Sequence, residues 1–119
     1  DMERGRIYLP LDILDSHNIT PDMLRSGSVA NTVAWKGFMM EYVDVIKRHQ
    51  SSAIQLFGYL SGRARVQPEI MADAYTSILS EIVRRSGDVF TQPVRLSKTR
   101  KAMLGLRLSL RKLGARFFA

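Results

Sequence analysis

The stretch Asp1-Met2-Glu3-Arg4-Gly5-Arg6-Ile7-Tyr8-Leu9-Pro10 places two acids, two arginines, a glycine and a tyrosine within eight residues. Arginines flanking a glycine can hold phosphate oxygens through charge-assisted hydrogen bonds. A carboxylate beside them can hold a divalent cation. The plainer reading is a solvated, fraying chain end. Tyr75 is a second candidate, in the middle of an apolar helical pattern. Its plainer reading is a core tyrosine whose hydroxyl finds a backbone partner. A third is the basic set Arg95, Lys98, Arg100 and Lys101, at a loop and the helix start that follows it. An anion is favoured at a helix N-terminus. The plainer reading of this set is a solvated face.

The chain has 119 residues, enough for one modest core. With no cysteine, disulfides and thiolate metal sites are excluded. His17 and His49 are too far apart for zinc-type spacing. No apolar run approaches the length of a membrane span. The start is not a signal peptide and has no initiator methionine, so the chain is expected to be a piece of something longer. Its net charge of +7 is unevenly placed. Residues 1–91 carry 10 Lys/Arg against 11 Asp/Glu, whereas residues 92–119 carry 8 Lys/Arg and no acid. Such a basic segment points to an anionic partner: nucleic acid, a lipid surface or a phosphate-bearing ligand.

The elements that must position these residues are helical. Pro10 restricts Leu9 to an extended conformation, and a short helix follows through residue 16. Thr20-Pro21-Asp22 starts another, which Ser26-Gly27-Ser28 breaks. From Val33 a long helix is predicted. Its apolar positions run Trp35, Phe38, Met39, Tyr42, Val45, Ile46, Ala53, Leu56, Phe57 and Leu60, and Ser61-Gly62 ends it. Gln67-Pro68-Glu69 starts the next helix. There Met71, Ala74, Tyr75, Ile78, Leu79 and Ile82 share a face, Asp73, Ser77 and Arg84 point away, and Gly87 stops it. Residues 88–96 read as a loop with two apolar pegs, Val89 and Phe90. Ser97 caps a final helix through about Phe118. Its main stripe is Met103, Leu106, Leu110, Leu113 and Phe117, and Leu104 with Leu108 make a weaker one. No segment alternates as a strand does, so the fold class is all-α.

No nucleophile with its base, Walker loop or dinucleotide fingerprint is present. Nucleic-acid binding has the charge but neither aromatic interleaving nor helix-turn-helix spacing, and is not expected. The last helix, amphipathic and rich in Arg and Lys, also fits a contact with an anionic membrane surface.

The order of these pieces resembles the squalene/phytoene synthase family. Asp1-(x)3-Gly5-Arg6-Ile7-Tyr8-Leu9-Pro10 is similar to the segment closing that family's second aspartate-rich motif. Leu11-Asp12-Ile13-Leu14 matches its short helix. Ala72-x-x-Tyr75-x-x-Ile78-Leu79-x-x-Ile82 matches a later helix. Val89-Phe90, then Val94-Arg95-Leu96-Ser97-Lys98 with Lys101, match its closing loop and helix. The resemblance implies an isoprenoid-synthase-type helical bundle, with residues 1–119 the C-terminal portion of a single domain. It implies a prenyltransferase that condenses two farnesyl or geranylgeranyl diphosphates head to head through a cyclopropyl diphosphate. The closing segment leans toward the squalene or presqualene diphosphate branch over phytoene.

By the same resemblance, Asp1 is a ligand of Mg2+, Arg6 holds diphosphate, and Tyr8 and Tyr75 line the cavity near the reacting groups. NADPH enters only if a squalene-forming reduction is included. The long helix walls the prenyl chains, and its Trp35–Phe38–Tyr42 face is expected to need further helices to cover it. The arginine that many members carry before the closing segment is Pro93 here, so Arg95 or Lys98 would take its contact. Because the first aspartate-rich motif and the start of the second lie outside the chain, the 119 residues alone are expected to be inactive. A cytoplasmic or peripheral-membrane location is expected, with a mitochondrial or plastid address left open. Two other readings stand beside this one. The first is a non-catalytic relative serving as an assembly or lipid-associated factor. The second is a basic helical adaptor for membrane or nucleic acid, independent of the family.

Overall fold

Local chemistry sets most helix ends. The structure, a computed structural model, describes residues 6–117. Its α-helices are α1 (Leu11–Ser16), α2 (Pro21–Ser26), α3 (Val33–Gln55), α4 (Gly62–Arg84) and α5 (Lys98–Phe117). No strand occurs among the described residues, in agreement with the all-α reading. Thr20 caps α2, its hydroxyl accepting from the Met23 N–H at 3.3 Å, and Pro21 occupies the first turn. Gly27 closes the helix at φ +71°. The Ser97 hydroxyl caps α5 by accepting the Arg100 N–H at 3.1 Å.

Two boundaries differ from the sequence pattern. The apolar spacing carries the long helix to Leu60, but α3 ends at Gln55 and Leu56–Tyr59 tightens into a 3₁₀ turn. Gly58, with no side chain to favour the α form, lies in that turn. The next helix starts at Gly62, five residues before Gln67, and so encloses Pro68. Ser61 therefore begins a helix where the pattern read an end. Its hydroxyl accepts from the Ala64 N–H at 3.4 Å, and its carbonyl accepts from the Arg65 N–H at 2.9 Å. Pro68 removes one hydrogen bond from the second turn. The Arg65–Glu69 ion pair at 2.6 Å bridges the same stretch.

The chain divides into two compact units. The first comprises Asp1–Val45 and Ile82–Pro93. Its core is Leu14, Ile19, Leu24, Val29, Trp35, Phe38 and Met39, each at most 5% exposed. Ile7, Leu9, Tyr42, Ile82, Val89 and Phe90 pack round it. The two apolar pegs of the loop are thus seated as expected. Phe38 lies between Trp35 and Tyr42, with ring centroids 5.2 and 5.6 Å away. Of the Trp35–Phe38–Tyr42 face, Trp35 and Phe38 are already buried within this unit, and Tyr42 is half-buried. His17 adds an edge contact to Phe38 and meets Glu41 at 2.6 Å.

The second unit comprises Ile46–Glu81 and Val94–Ala119. Its buried apolar residues among those described are only Val66, Leu79 and Leu104. The end of α3 meets α4 through Gln50, whose amide donates to the Ala72 carbonyl at 3.0 Å and the Thr76 hydroxyl at 2.7 Å.

Gly87 is where the first unit is most tightly specified. Its φ is +81°, and a Cβ there would lie 2.8 Å from the Met39 Cβ. Its carbonyl accepts from the Trp35 indole N–H at 2.8 Å. At Gly27, also at positive φ, a Cβ would meet nothing within 4 Å. Gly27→Ala is expected to cost about 1 kcal/mol, from backbone strain alone. Gly87→Ala is expected to cost about 3 kcal/mol, because overpacking adds to the strain. Urea denaturation of both variants checks this, and equal losses would refute it.

Candidate functional site

In the first unit, the chain entering α1 lies across the core. Arg6, Ile7, Tyr8 and Leu9 form one side of a cavity of about 220 Å³. Leu24, Trp35, Val89 and Phe90 form the other. Pro10 follows at φ −64° and ψ 119°, which keeps the entry extended before α1 begins. Apolar walls meet a single cation here. Arg6 donates to the Tyr8 hydroxyl at 3.5 Å, so these two predicted residues are brought together at the cavity. Tyr8 is 69% exposed, which places its hydroxyl where a ligand could reach it. Asp1, the predicted metal ligand, lies outside the described residues. Among those described, no three His, Asp or Glu side chains cluster to hold a metal ion.

The Val89–Phe90 wall is fixed by a turn that Asp88 organises. Its carboxylate accepts from the Thr91 hydroxyl at 2.7 Å and from the Phe90 and Thr91 backbone N–H groups at 3.1 Å. The Thr91 hydroxyl does most to hold the Asp88 carboxyl below the ordinary aspartate value. The Thr91 and Phe90 N–H groups and the charge of Arg85 also lower it, and partial burial opposes them. The sign follows from linkage. A depressed folded-state value contributes stability above the ordinary aspartate range, and that stability is lost as pH falls through the depressed value.

In the second unit, Tyr75 is 58% exposed on α4, one turn beyond the exposed Met71. Neither a buried core role nor a covered hydroxyl describes it. Arg95, in the loop before α5, and Lys98, the first residue of α5, are both exposed. Arg100, read as part of the same basic set, instead donates to the Ser77 hydroxyl at 3.0 Å.

The sequence pattern missed the seam between α4 and α5. Arg107 pairs with Asp73, and Arg111 pairs with Glu69. Asp73 and Ser77, expected to point away, therefore face α5. The weaker stripe packs, with Leu104 at 8% exposure, while Met103, Leu106, Leu110 and Leu113 of the main stripe stay more than half exposed. The physical reason is charge. α5 has no acid of its own, and Glu69 and Asp73 offer its arginines two carboxylates one turn apart on α4. A signal was present in the spacing, because the two acids and the two arginines are each four residues apart, on one face of their helices. Beside the seam, Arg100, Arg107 and Arg111 join Met103, Leu104, Leu106 and Leu110 round a groove of about 310 Å³.

No helix among the described residues is long and apolar enough to cross a membrane. Two measurements check these arrangements. Thr91→Ala is expected to raise the Asp88 carboxyl toward the ordinary aspartate range in an NMR titration, and an unmoved midpoint would refute the turn's role. A double-mutant cycle on Asp73→Asn and Arg107→Gln is expected to give a coupling of about 0.5–1 kcal/mol that shrinks in high salt, as half-exposed pairs do.

Comparison with known proteins agrees with the family resemblance. The family model for squalene/phytoene synthase matches residues 1–100. A phytoene synthase of Arthrospira platensis is 33% identical over 122 residues, covering 98% of this chain and 36% of that protein. A chloroplastic phytoene synthase of Daucus carota is 31% identical, covering 85% of this chain and 25% of its own. One from Thermus thermophilus is 30% identical, covering 87% and 35%. The chain thus spans about a quarter to a third of the length of these curated relatives. No solved structure matches it significantly.

Proposed function

The chain belongs to the squalene/phytoene synthase family, and from that premise we propose that it is the diphosphate-holding C-terminal portion of a prenyltransferase. In this reading the enzyme joins two prenyl diphosphates head to head, releasing diphosphate as the new carbon–carbon bonds form. The observation that carries the proposal is the juxtaposition of Arg6 and Tyr8 at the edge of an apolar cavity. A prenyl diphosphate has the same two halves, an anionic head and a hydrocarbon tail. Arg6 would donate hydrogen bonds to the departing head. Trp35, Leu24 and Phe90 would keep water from the electron-deficient carbon left behind. Tyr8 and Tyr75 would line the space near the reacting groups, and Arg95 or Lys98 would supply the contact absent at Pro93.

The relatives named above are all phytoene synthases, which supports a phytoene-type product over the squalene branch toward which the closing segment leans. Geranylgeranyl diphosphate is accordingly the preferred substrate and farnesyl diphosphate the second. Asp1 would be a ligand of Mg2+, an ion that would supply positive charge to a diphosphate leaving group. NADPH has no part in a phytoene-type reaction.

The 119-residue chain alone is proposed to bind but not to turn over. Titration with geranylgeranyl diphosphate is expected to saturate. Arg6→Ala is expected to weaken binding about tenfold or more, the effect of losing one charged hydrogen bond. Binding indifferent to Arg6→Ala would overturn the assignment of the head site. Product formed from geranylgeranyl diphosphate by the isolated chain would overturn its inactivity.

A further inference from the structure

We propose that His17 is a positioning residue for the cavity: bonded to Glu41 and seated on Gly37, it fixes the short helix α1 on α3 and so holds in place the segment that carries Arg6 and Tyr8. The assignment rests on the reading of that cavity as the seat of the diphosphate. The His17 Nε2 lies 2.6 Å from a Glu41 carboxylate oxygen. An ionised carboxylate can only accept, so Nε2 carries the hydrogen, and a bond this short is of the charge-assisted kind. The rest of the ring is fitted too. It meets Phe38 edge-on, with ring centroids 6.2 Å apart. A Cβ on Gly37 would lie 3.3 Å from both Cε1 and Nδ1 of the imidazole. Glycine is among the poorest residues for a helix interior, and at position 37 its lack of a side chain lets the ring come this close to α3. Gly37 and Glu41 stand one turn apart with Phe38 beside them, so one face of α3 makes the whole seat.

What the seat controls follows from α1. A helix of six residues does not hold itself together in water. Leu14, fully buried, and Ile13 beside it join α1 to the core, but apolar contact has no direction. On these contacts alone the helix would be free to rock. The bond from His17, at the C-terminal end, is directional and removes that freedom. At the other end, the Leu14 N–H donates to the Pro10 carbonyl at 3.1 Å, and Arg6, Tyr8 and Leu9 lead straight into that turn. α3 also supplies Trp35, on the opposite wall of the cavity, about 9 Å along the helix before Glu41. His17 therefore ties one wall of the cavity to the helix that carries the other.

Nuclear magnetic resonance and ligand titration of the full chain test the assignment. The imidazole is expected to carry a hydrogen on Nε2, and a ring protonated on Nδ1 alone would overturn it. His17→Phe keeps an edge toward Phe38 and loses the bond. It is expected to shift the amide signals of Ile7, Tyr8 and Leu9, and shifts confined to α1 and Gly37–Glu41 would overturn the proposal. It is also expected to weaken geranylgeranyl diphosphate binding about fivefold, part of what one charge-assisted hydrogen bond is worth. His17→Gln, whose amide N–H can reach Glu41 from the same position, is expected to bind within about twofold of the unaltered chain, a rescue that mere space-filling would not give. Gly37→Val puts methyl groups where the ring lies. It is expected to bind as weakly as His17→Phe with the circular dichroism unchanged, so the test stands even if His17→Phe fails to fold. Arg6→Ala separates the two claims. Weakened binding for Arg6→Ala, with none for His17→Phe and Gly37→Val, would overturn the tether and leave the head site standing. Binding indifferent to Arg6→Ala would overturn the head site, and the amide signals then decide the tether without any ligand.

Discussion

In the first unit a buried indole N–H points at a backbone carbonyl 52 residues along the chain. Trp35 is 2% exposed, so its donor has no water to fall back on. An unmet buried donor costs on the order of 1–3 kcal/mol, and the chain therefore returns to meet it. The left-handed backbone at Ser86 and Gly87 turns the segment after α4 back onto Trp35. Phe90 then reaches the other side of the indole, with ring centroids 5.0 Å apart. The cavity wall, the turn at Asp88 and the seating of the two apolar pegs all follow from that one return.

The second unit is held on a different principle. With three buried apolar side chains among its described residues, it has little hydrophobic driving force of its own. Its α4–α5 seam relies on arginines meeting two carboxylates and a hydroxyl. Half-exposed ion pairs contribute only about 0–1 kcal/mol each, so this seam is expected to open before the aromatic core of the first unit does. The better-packed unit is therefore the one that carries Arg6 and Tyr8, and the less packed one carries the basic helix.

Much of this was legible from residue types. Thr20-Pro21, Gly27, Ser97 and Gly87 mark helix ends through rules that act within four residues, and the structure obeys them. Pro68 misled because a local rule read it as a start, while Ser61 had already capped the turn before it. The choice between the two stripes of α5 could not be made from periodicity, because both have helical spacing. It depended on Glu69 and Asp73, some 35 residues away, and on the absence of any acid in α5. In the cavity, the types of Arg6 and Tyr8 were informative, whereas their apolar surroundings come from Leu24, Trp35 and Phe90, which only tertiary packing brings together.

The equal spacing along the α4–α5 seam makes it a ruler with repeating divisions. Glu69 and Asp73 stand one helical turn apart, and so do Arg111 and Arg107. Sliding α5 by one turn would set Arg111 against Asp73, keeping one of the two ion pairs and leaving Glu69 with no arginine from α5. Leu104 and Leu108 repeat at the same interval, so apolar packing by itself distinguishes the two alignments little. Arg100 breaks the repeat: it lies seven residues before Arg107, and its bond to Ser77 exists in one alignment only. A neutral hydroxyl, the least conspicuous group on that face of α4, thereby adds to what the second ion pair does to mark the phase of the helix.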